Sequence, residues 1–160
     1  MTELLFKITY PRDLLDHFFF KFAPIINHWY QRCNTQAYLE LIQGGFVYII
    51  KDLMTFQKMA VDSQATAQKG FQKSDLSHQL TFEQELRAET GLHDKDPITF
   101  HINCPMIQVN QMIPLWQTAF AGFGPTITFQ KLDAFTFTMT FQNITILAKY
   151  LEMFFALDCY

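Results

Sequence analysis

The chain has 160 residues, 49% of them hydrophobic and 17% charged, which excludes a disordered polymer and suits one compact domain with a sizeable core. Its formal net charge is −3, and its densest basic stretch, Lys69–Lys73, holds two lysines, so the electrostatic footprint of a nucleic-acid binder is missing. No run approaches the ~20 apolar residues of a membrane span, and Glu3 and Lys7 interrupt any secretory h-region.

Leu4–Tyr10 alternates, with Phe6, Ile8 and Tyr10 on one face and Lys7 and Thr9 on the other, which predicts a half-buried strand. Pro11 is expected to open a helix, since proline is tolerated in a first turn. Leu14, Leu15, Phe18, Phe22, Ile25, Ile26 and Trp29 then recur at helical spacing, and Pro24 is expected to kink or split that helix. Tyr38–Ile42 and Phe46–Ile50 flank Gln43-Gly44-Gly45 and predict a hairpin. Leu53–Val61 reads as a short helix. Asp62–Gln79 is rich in Ser, Gln, Lys and Ala and reads as a linker that extends the helix for a few turns at most. Thr81 and Gln84 have capping-box spacing, so a helix is expected from Phe82 to about Thr90, stopped by Gly91.

From Pro97 the same order returns. Phe100, Ile102 and Cys104 share one face of a strand over Ile98–Cys104, and His101 and Asn103 share the other. Pro105 is expected to start a helix carrying Val109, Met112, Ile113, Trp116 and Phe120. A hairpin over Thr126–Phe141 turns at Leu132-Asp133, and a last helix spans Ile144–Leu157. Phe6, Ile8 and Pro11 align with Phe100, Ile102 and Pro105 at an offset of 94; Phe46 and Tyr48 align with Phe135 and Phe137 at 89. These matches suggest a tandem β-α-β-β-α duplication: a first unit over 1–61, a polar linker with a short helix over 62–96, and a second unit over 97–160. The fold expected is α+β, a two-layer sandwich with a mainly antiparallel sheet of about six strands and helices on one face.

No motif carries chemistry. The five histidines form no HxH, HxxxH or HExxH pattern, and no metal or other cofactor is expected. Cys33, Cys104 and Cys159 are far apart and odd in number, which reads as reduced thiols in a cytoplasmic protein. Cys104 falls on the apolar face and should be inert. Gly44-Gly45 and Gly122-x-Gly124 read as turns rather than phosphate loops. Glu83, Glu85 and Glu89, and Asp94 with Asp96, read as solvated carboxylates.

Function therefore rests on surfaces. The first expectation is a non-catalytic interaction or assembly protein with a protein partner or homo-oligomeric state. Its surface would include Val47, Ile49, Thr126, Thr128 and Thr140. The alternative is a small-molecule binder or enzyme with a pocket between barrel-like sheets. There His101, Asn103, Lys7, Thr136 and Thr138 would supply polar groups beside aromatics such as Tyr48.

Overall fold

A computed structural model describes residues 3–10, 15–73 and 77–156. Alternation produces the strands it predicts. β1 (Leu4–Thr9) buries Leu4, Phe6 and Ile8 on one face. The hairpin strands β2 (Ala37–Ile42) and β3 (Gly45–Ile50) flank Gln43 and Gly44, the latter at φ 77°, where a glycine is at home. The remaining strands are β4 (Ile98–Asn103), β5 (Ile127–Lys131) and β6 (Thr136–Phe141). All six form one antiparallel sheet in the order β2-β3-β1-β4-β6-β5, open rather than closed into a barrel.

Helices cover one face of this sheet. They are α1 (Asp16–Arg32), α2 (Leu53–Lys73), α3 (Ser77–Thr90), α4 (Val109–Ala119) and α5 (Ile144–Ala156). Aromatic side chains join the layers. Phe6 meets Phe56 of α2 and Trp116 of α4, Phe19 of α1 meets Phe46 and Phe100, and Phe141 meets Tyr150 of α5. Phe6, Phe22, Phe137 and Phe141 are fully buried, each contributing roughly 1.5–3 kcal/mol by leaving water. α3 packs on α5 and α1 instead of the sheet, with Phe82 against Phe18 and Phe22.

Several element boundaries depart from the sequence expectation. α1 passes through Pro24 as a single helix. Pro24 lies on its exposed side, so the carbonyl left without a helical donor can take one from water. Pro105 does not start a helix; α4 begins at Val109. The intervening segment is tied to the β5–β6 turn, with the Cys104 N–H donating to the Phe135 carbonyl and the Val109 N–H to the Ala134 carbonyl. α2 runs to Lys73, through most of the stretch that composition marks as a linker. α3 begins at Ser77, so Thr81 and Gln84 lie inside it rather than at its start. Gly91 ends it at φ 67°. The expectations at Pro11, Leu14, Leu157 and Cys159 lie outside the described residues.

The strand order is symmetric about the β1–β4 seam, where Ile8 pairs with Ile102 and Lys7 and Thr9 pair with Asn103 and His101. The pairing register differs from the expected alignment at one place. Phe6 pairs with Tyr48 and Phe100 with Met139, so setting Phe6 on Phe100 sets Tyr48 on Met139 and Phe46 on Phe137. Phe135 lies in the turn before β6, two residues from where the sequence alignment set it.

Candidate interaction face

The sheet face opposite the helices is the surface this fold presents, and the pairing register lays it out in rows. Tyr38, Ile49 and Leu5 form one row across β2, β3 and β1. The next is Glu40, Val47, Lys7, Asn103 and Thr136. A third crosses the seam as Thr9, His101, Thr138 and Gln130. Thr99, Thr140 and Thr128 form a fourth.

The two halves of this face differ in chemistry. On the β4-β6-β5 side the polar groups answer one another. The Thr99 and Thr140 hydroxyls are 3.0 Å apart, the Asn103 amide donates to the Thr136 hydroxyl at 3.0 Å, and the Thr138 hydroxyl reaches the Gln130 carbonyl at 3.5 Å. Such cross-strand pairs stabilise a sheet in water and ask nothing of a partner. On the β2-β3-β1 side the row is apolar. Tyr38 is 45% exposed on the edge strand, Leu5 is half-buried, and Ile49 is buried. Sequence reasoning found Val47 and Ile49 here but passed over Leu5 and Tyr38. Both were legible, since Leu5 alternates with Phe6 and Tyr38 with Leu39.

Most residues singled out from the sequence fall on this face. Lys7, Asn103 and Thr136 share one row, and His101 and Thr138 share another. Thr126 does not join them. It ends a 3-10 helix over Ala121–Thr126, and its hydroxyl turns back to the Phe123 carbonyl at 2.6 Å. Tyr48 lies on the opposite, helix-covered face, where its hydroxyl meets that of Tyr30. The described residues form one open sheet, so among them no intersheet pocket is formed for His101 and its neighbours.

Two side chains guard the edges of the fold. The Asn27 carboxamide accepts from the Leu39 N–H at 2.7 Å and donates to the Leu39 carbonyl at 3.0 Å, pairing with edge strand β2 as another strand would. Glu89 accepts from the Phe18 N–H at 3.1 Å at the start of α1, and Glu83 is buried beside Gln79. These two carboxylates are therefore structural rather than solvated, while Glu85 is exposed. An N–H at a helix start welcomes a negative partner, which a polar composition alone does not reveal.

The thiols also depart from expectation. Cys33 is disulfide-bonded, so the three cysteines are not all reduced. Cys104 is free and fully buried, and burial pushes its pKa up, leaving it a poor nucleophile. Among the described residues no group of three or more His, Cys, Asp or Glu side chains could hold a metal ion, and no helix is long and apolar enough to cross a membrane. No family model, curated protein or solved structure matches this chain.

Proposed function

We propose that the protein is an interaction module whose open sheet face packs against the same face of a second copy. The observation that carries this reading is the apolar row Tyr38–Ile49–Leu5 on a face that no helix covers among the described residues. The neighbouring row favours a second copy over an unrelated partner. Glu40 and Lys7 flank Val47 with opposite charges. A two-fold axis along β3 at Val47 would lay Lys7 of each copy over Glu40 of the other, the self-complementarity an isologous interface needs. Two such faces stack ~10 Å apart in sheet-on-sheet packing. The symmetric strand order also supports descent of the two halves from one β-α-β-β-α unit.

A charge-swap experiment tests the arrangement. Sedimentation velocity should show a concentration-dependent dimer for the native chain. Lys7→Glu should weaken it by setting like charges face to face, and Lys7→Glu combined with Glu40→Lys should restore it. If the double variant is no better than the single one, the proposed pairing is wrong.

A further inference from the structure

The layer between sheet and helices contains a cavity of about 110 Å³. Its walls come from every layer of the fold: Phe46 and Tyr48 from β3, Phe100 from β4, Trp29 and Tyr30 from α1, and Trp116 from α4. Half of its lining residues are aromatic. Aromatic walls suit a flat apolar guest, because rings meet favourably edge to face as well as offset-stacked. An apolar cavity of ~150 Å³ accepts benzene, so the smaller space here matches at most a single unsubstituted ring.

One polar group on a lining residue narrows the chemistry. Trp116 is 5% exposed, and its indole N–H has no acceptor among the described residues. Its ring neighbours are Phe6 and Phe137, at steep interplanar angles, and Phe120, stacked along it. A buried donor without a partner costs about 1–3 kcal/mol. Water is a poor remedy in such a place, since a buried water needs two to four polar partners. The Tyr30 and Tyr48 hydroxyls are bonded to each other. Ser63 of α2, Ala119 of α4 and Tyr150 of α5 are the partly exposed part of the lining on the helix side. α2 packs against both α4 and α5, so a guest could pass where these helices meet.

We infer that this cavity is a binding site for a single small neutral aromatic ring bearing one hydrogen-bond acceptor within the ring, such as a ring nitrogen, which receives the Trp116 indole N–H. The site lies on the helix side of the sheet and is independent of the open face. Pyridine and benzene, alike in shape but not in acceptor, are the probes. Each is titrated into ¹⁵N-labelled protein while the two indole N–H signals are followed, with the Trp116 signal assigned from Trp116→Phe. Pyridine should bind saturably, move the Trp116 indole signal, and bind roughly 3- to 10-fold tighter than benzene, the range one net hydrogen bond supplies. Ala119→Leu should abolish binding of both by filling the space, and Ser63→Leu provides a second filling variant should the first not fold. Absence of saturable binding by either probe would overturn the site. Equal affinities with an unmoved Trp116 signal would overturn the assigned ligand class. Binding that survives both filling variants in folded protein would overturn the location.

Discussion

Replacing Tyr38 with threonine removes the largest exposed side chain of the apolar row while keeping a residue that favours a strand. A tyrosine presents roughly 200 Å², so at 45% exposure about 90 Å² remains for a partner to cover. At ~25 cal/mol per Å² this is about 2 kcal/mol, of which threonine would retain about a quarter. Each copy of a two-fold dimer contributes the same loss, so the dimer weakens by about 3 kcal/mol, or roughly 100-fold in Kd. Sedimentation velocity across a concentration series reads this directly, with a circular dichroism melt of the variant to confirm that the fold is intact. A native chain that stays monomeric at ~100 μM would refute the reasoning. So would a folded Tyr38→Thr variant whose dimer affinity lies within ~3-fold of the native value, because the row would then contribute nothing to association.

Three further predictions concern stability. Gly45→Ala should destabilise by about 1–3 kcal/mol or more in a urea melt, because a Cβ at Gly45 would stand 2.0 Å from the Ile8 carbonyl oxygen and β1 cannot retreat from its place in the sheet; an unchanged midpoint would show that the backbone does not approach so closely. Asn27→Ala removes both hydrogen bonds to Leu39 and should cost about 1–3 kcal/mol in the same assay, while opening the β2 edge to aggregation, read as light scattering on storage. The Thr55 backbone N–H and hydroxyl hold Asp52 below its ordinary pKa of 3.8. A depressed carboxyl contributes stability that is present above its unfolded value and lost as pH falls through the lower folded one. Asp52→Asn should therefore destabilise at neutral pH and lose less on acidification than the native chain does; parallel pH profiles for the two would refute the assignment.

Much of the fold was legible because the two periodicities report burial directly. Phe6 and Ile8 against Lys7, and Phe137 and Met139 against Thr136 and Thr140, announce which face meets the core wherever the partner strands lie. Gly44 and Gly91 announced their turns through the positive φ they adopt. By itself the chain thus determined six strands, an α+β sandwich with an aromatic core, and a sheet face kept free of large apolar groups on its second half. The tertiary structure alone decided how those pieces are shared. The symmetric order β2-β3-β1-β4-β6-β5, and with it the apolar row of Tyr38, Ile49 and Leu5, depends on pairings between strands far apart in the chain, and alternation says nothing about which strand is the neighbour. The same holds for the carboxamide of Asn27 on Leu39, the carboxylate of Glu89 on Phe18 and the indole N–H of Trp116, unanswered among the described residues. A polar side chain finds its partner across space, and local spacing carries no record of it.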